Sequence, residues 1–102
     1  MADTVIVRFA GDPADLAARY HRQFTALMAA AGENPPEGLI AHTCTRTLDG
    51  LVIVDAWESA DQWRAMVDSD AFRNSVAEAG LPEPQPEFGE LINVFRPGET
   101  AG

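Results

Sequence analysis

The sequence predicts an α+β domain of the ferredoxin-like class, with element order βαββαβ and a four-stranded antiparallel sheet. Three observations predict it. Proline and glycine punctuate the 102-residue chain at 11–13, 32–38, 49–50 and 80–86, leaving pieces of element length between them. Some pieces alternate apolar and polar residues, while others repeat apolar residues at helical spacing. Asp49-Gly50 falls between the two middle extended pieces, a strong hairpin signal.

The elements follow in order. Residues 4–10 are β-branched and set Val5, Val7 and Phe9 against Ile6 and Arg8, a strand. Gly11 ends it. Asp12 before Pro13, with Asp15 in the next turn, marks a helix start. Leu16, Ala17, Tyr20, Phe24, Leu27, Met28 and Ala31 form one apolar stripe, and Gly32 stops the helix. Residues 39–48 and 51–57 flank the turn and form the hairpin. Ser59 with Gln62 is a capping box. The helix it opens presents Trp63, Met66 and Val67. Asp68-Ser69-Asp70 interrupts this helix, and Ser69 caps a second piece carrying Phe72 and Val76 that ends at Gly80. Residues 87–96 alternate again, giving a last strand, and the tail beyond Pro97 reads as frayed. Right-handed crossovers put strands 1 and 3 in the centre and strands 2 and 4 at the edges.

Residues 1–102 make one domain. Apolar residues are 46% and charged residues 23%, the mix of an ordinary soluble protein. Seven basic residues, all Arg, face 16 acidic ones, for a net charge of −9. So negative a field argues against nucleic acid, an anionic membrane or any polyanion as partner. Cys44, the single cysteine, has no internal disulfide partner. With no basic leader region and no apolar run of the ~20 residues that cross a bilayer, a cytoplasmic location is expected. Both helices cover one sheet face. The other face is expected to carry Val, Ile or Phe from four strands. A second copy packed sheet to sheet would hide it, so a homodimer is expected.

With Asp49-Gly50 as a two-residue turn, Arg46 opposes Ile53, Cys44 opposes Asp55 and His42 opposes Trp57. One face then carries His42, Cys44, Arg46, Asp55 and Trp57. Asp55 lies diagonal to both His42 and Arg46. A carboxylate beside a histidine fixes its tautomer and favours its charged form. With Trp57 as an aromatic wall, the group would hold a planar ligand and move a proton. Tyr20 and His21 on the first helix would face it, and Asn93 on the last strand would point into the sheet interior. The plainer alternative has Asp55 pairing with Arg46 for structure and Trp57 filling core. His42 and Cys44 point the same way but lack further ligands at a recognised spacing, so no metal is expected. The glycines form no phosphate-binding fingerprint.

Residues 51–72, from Leu51 through Trp57-Glu58-Ser59 to Phe72, resemble the core of the antibiotic biosynthesis monooxygenase-like domains. Ser59, Trp63, Ser69 and Phe72 fill the recurring places. The resemblance implies a dimeric α/β barrel in which two sheets close around each other, and a ligand pocket lined at the Trp57 position. Its haem-degrading branch uses a first-strand Asn and an axial His. Here the first strand has Val7 and Arg8, and Val76 stands at the His position, where an alkyl side chain cannot ligate iron. Met66 stands where many other members carry His. The fold hosts many functions. The resemblance therefore implies one of two: a cofactor-independent monooxygenase for a small aromatic or polyketide-like substrate, or a non-catalytic ligand-binding or structural barrel. In the first, His42 or Asp55 is the base and Arg46 stabilises the anion, while Trp57, Tyr20 and Asn93 bind substrate, with no cofactor.

Overall fold

A computed structural model describes residues 2–97. Its elements are β1 (Asp3–Ala10), α1 (Pro13–Ala30), β2 (Leu39–Thr47), β3 (Gly50–Trp57), α2 (Ala60–Val67), α3 (Asp70–Ala79) and β4 (Pro86–Glu90). The sheet is antiparallel with order β2-β3-β1-β4, so β1 and β3 are central and β2 and β4 are edges. The helices pack on one face, above Val5, Val7, Phe9, Leu51 and Trp57, which form the core with Leu16 and Trp63. The expected frayed tail beyond Pro97 lies outside the described residues.

The helix ends follow local chemistry. Ser59 Oγ accepts from the Gln62 amide and Ser69 Oγ from the Phe72 amide, so each short helix has its own cap. Gly80 closes α3 at φ 73, a left-handed conformation suited to glycine. Asp12 differs from expectation. Its side chain caps nothing; its backbone carbonyl instead accepts from the Leu16 amide at 2.9 Å.

Three expectations are corrected. The hairpin turn is Leu48-Asp49, with Gly50 already in β3 opposite Thr47. A Cβ on Gly50 would lie 1.8 Å from the Phe9 carbonyl oxygen, so glycine is needed for close approach to β1 and not for positive φ. The register moves with the turn. His42 directly opposes Asp55, Cys44 opposes Ile53, and Arg46 opposes Leu51. The faces survive, because the shift is two residues and the side-chain period is two.

The last strand stops at Glu90, which pairs with Asp3, the first residue of β1. Among the described residues no strand pairs with the chain beyond it. The Leu91 amide bonds to the Ala2 carbonyl, and Arg96 donates to the Ile40 carbonyl on β2, so this segment crosses the end of the sheet.

The helix-free face is less apolar than expected. It carries Ile6, Val52 and Val54 from the two central strands. Edge strand β2 contributes Thr43, Thr45 and Thr47, and β4 contributes Glu87. Phe88 is on the helix side, opposite Val5, with its ring edge-on to Trp63.

Candidate functional site

Strand alternation places Asp55 and Trp57 on the helix-facing side of β3. His42 arrives opposite Asp55 from β2, and Tyr20 comes down from α1, which packs across β2 and β3. The four side chains form one hydrogen-bonded chain. Trp57 Nε1 donates to Asp55 Oδ2 at 3.2 Å. His42 Nδ1 and Asp55 Oδ1 are 2.6 Å apart, and Tyr20 Oη and His42 Nε2 are 2.5 Å apart. A carboxylate can only accept, so it holds the proton on Nδ1 and leaves the Nε2 lone pair for the Tyr20 hydroxyl.

The surroundings set the protonation of the outer members. Burial pushes the Tyr20 phenol up to about 12, assisted by Cys44 once that thiol ionises at alkaline pH, and then by the Asp55 carboxylate. Tyr20 is therefore a neutral donor at physiological pH. Burial, and then Asp55, also push the Cys44 thiol upward, which keeps it a thiol packed against the core. Asp55 is only 5% exposed, yet both its oxygens are partnered. Isolated, such a group would carry a large desolvation cost.

The network forms one wall of a cavity of about 320 Å³ between the sheet and the helices. The other walls are mostly apolar. Phe24 from α1 stacks on the His42 ring at 5.8 Å between centroids. Trp63 and Met66 come from α2, Phe72 and Val76 from α3, and Pro35, Pro36, Pro82 and Pro84 close the ends. No Arg lines it. The chamber therefore suits an uncharged, largely apolar, planar molecule, with a proton-handling group on one side. Among the described residues no three His, Cys, Asp or Glu side chains are grouped to hold a metal ion.

Of the residues singled out from sequence, His42, Asp55, Trp57 and Tyr20 meet at this cavity. Arg46 does not. It is exposed near the hairpin tip, four residues along the edge strand from His42 and away from Asp55. Asn93 is also elsewhere, exposed on the segment beyond β4 because that strand ends early. His21 is exposed, edge-on to Tyr20, and lines no part of the cavity. The sequence reading missed Gln23 and Ser75, a buried polar pair from α1 and α3. The signal for Gln23 was available: it lies one helical turn after Tyr20, beside Phe24.

An α+β sheet with helices on one face and a ligand-sized chamber between them defines a fold class. Solved structures share it over nearly the whole chain, and they include proteins of the antibiotic biosynthesis monooxygenase-like fold. A monooxygenase from Streptomyces coelicolor, solved in complex with nanaomycin D, has a TM-score of 0.66 and 22% identity, covering 95% of this chain and 93% of its own. SnoaB, a cofactor-independent oxygenase from Streptomyces nogalater, has a TM-score of 0.57 and 23% identity, covering 96% and 98%. A Caulobacter crescentus protein, proposed to be an antibiotic biosynthesis monooxygenase, has a TM-score of 0.66 and 20% identity, covering 90% and 91%. At these identities the likeness establishes the fold. No family model matches the sequence, and neither does any curated protein.

Proposed function

We propose that the chain is a cofactor-independent monooxygenase acting on a small aromatic or polyketide-like phenol, and that it works as a homodimer. One observation carries the reading: the Tyr20–His42–Asp55 relay on the wall of an otherwise apolar cavity. The likeness in fold to the two Streptomyces proteins, a cofactor-independent oxygenase and a monooxygenase, supports it.

In this reading the substrate itself reduces oxygen. Tyr20 passes its proton to His42 Nε2 as it takes the proton of the bound phenol or its keto tautomer. Asp55 stabilises the imidazolium that forms. The resulting enolate gives one electron to O₂, and the radical pair joins to form a C–O bond. Loss of the remaining C–H proton then breaks the O–O bond. The balance is R₂CH₂ + O₂ → R₂C=O + H₂O, with His42 returning its proton to the departing oxygen. The apolar walls exclude water and hold the ring.

Oxygen uptake with a hydroxynaphthalene and a hydroxyanthracene tests the reading. The expected result is one O₂ consumed per carbonyl formed, falling by roughly 10²-fold in His42→Ala. No uptake by the wild type would defeat it. A second reading, a non-catalytic ligand-binding barrel, is favoured by the filled Nε2 lone pair and by Met66 at the position where the resemblance expects His. It gives ligand-dependent thermal stabilisation without oxygen uptake.

The dimer rests on apolar surface left open. Val54 on the helix-free face is 39% exposed, and Ile92 and Phe95 beyond β4 are 85% and 79% exposed. A second copy of the chain would cover them and shield the β2 and β4 edges. Sedimentation at micromolar concentration is expected at about twice 11.0 kDa; a monomer there rejects the dimer.

A further inference from the structure

Gln23 is 6% exposed, lines the cavity, and lies three residues from Tyr20 on α1. Its amide orientation follows from its partner. The Ser75 hydroxyl sits 2.7 Å from the Phe72 carbonyl oxygen, so its single proton is committed there. Ser75 Oγ can then only accept from Gln23, whose Nε2 lies 3.1 Å away. The amide nitrogen therefore points at Ser75, and Oε1 is left over. Oε1 accepts no hydrogen bond from any described residue, and it is not completely enclosed by the protein. A buried side chain held by one end with its acceptor free is built to meet something that enters the chamber.

We propose that Gln23 Oε1 is a specificity determinant that accepts a hydrogen bond from a second hydroxyl of the ligand, making the preferred class an uncharged arene with two non-adjacent hydroxyls. The first hydroxyl goes to the Tyr20–His42 relay. Residues at i and i+3 are neighbours on a helix face, about 5–6 Å apart at Cβ, so one ring system reaches both. The buried carboxylate of Asp55 and the lack of any Arg in the lining disfavour an anionic ligand. Reading a hydroxyl this way is discriminating, because a ligand without it leaves the buried acceptor unpaired. The inference rests on the cavity being a small-molecule site; oxygen chemistry there is not required.

The test compares 1,3-dihydroxynaphthalene with the monohydroxy compound lacking the second hydroxyl, binding being followed by tryptophan quenching. Wild type is expected to prefer the diol by about tenfold. Gln23→Leu should remove that preference while keeping affinity for the monohydroxy compound. Gln23→Met, closer in shape, repeats the measurement should the leucine variant fold poorly. Ser75→Ala should weaken the preference by loosening the amide. A diol preference unchanged in the folded Gln23 variants overturns this proposal alone. Failure of wild type to bind either arene overturns it together with the cavity reading.

Discussion

The two ends of the β2–β3 hairpin carry the same kind of pattern and end in opposite environments. At the base, His42, Asp55 and Trp57 share a face and are tied into one network under Tyr20. Toward the tip, Arg46 has the same strand parity as His42, yet it is exposed. Alternation decides which face a side chain takes. Whether that face is covered depends on where α1 crosses, and α1 meets β2 at His42. Toward the tip, Gly50 and Leu51 are buried where β1 pairs with them through Ala10 and Phe9. Chemistry therefore collects at one end of a uniform ladder.

The contrast can be broken most severely from the tip, at its one crowded point. Gly50→Ala forces a Cβ onto the Phe9 carbonyl and must separate β1 from β3. A loss on the order of 3 kcal/mol is expected in urea unfolding. A loss below a tenth of that would mean the strands are not in this close approach.

At the base, Asp55→Ala strips acceptors from both His42 and Trp57 in a nearly dry site. About 2–3 kcal/mol of stability should go, with a fall of roughly 10 °C or more in Tm. Asp55→Asn keeps one carbonyl acceptor and should cost less, while still disturbing the histidine tautomer.

Tyr20→Phe removes only the hydroxyl end of the chain and should cost about 1 kcal/mol near neutral pH. It also has a pH signature. The folded phenol is pushed from the usual 10.0 to about 12, so above pH 10 the unfolded chain loses its proton first. Stability is fully present below pH 10 and erodes as pH rises toward 12. The phenylalanine variant should lack this share of the alkaline slope, read from urea midpoints across that range.

Arg46→Ala is expected to change stability by no more than about 0.5 kcal/mol. The two ends differ only if this change is small while the Asp55 change is large. Equal losses would show that the tip is structured by contacts that its exposure conceals.

Much of this is legible in the amino-acid sequence. Val5, Val7 and Phe9 declared a strand face, Ser59 and Ser69 declared two helix starts, and the family-like run from Trp57 to Phe72 pointed to the fold. The pocket face was legible too, although the register was not. A turn expected one residue too late still preserved parity, and so His42 and Asp55 stayed together. Arg46 and Asn93 were misplaced for a common reason. Strand periodicity says nothing about where a strand's neighbours begin and end, and those limits decided both positions. Gln23 went unread because a polar residue on a helix is ordinarily solvated, and only α3 brings Ser75 to it.

By itself, the amino-acid sequence determined the element order, the faces of each strand, the serine caps at Ser59 and Ser69 and the acidic charge. These are consequences of short-range sterics, side-chain period and composition. Tertiary structure alone decided which part of the helix-facing surface is covered, which way the Gln23 amide points, and that Tyr20, His42, Asp55 and Trp57 bond in series. Those facts depend on residues far apart in the chain meeting within hydrogen-bond distance, and no local pattern encodes such a distance.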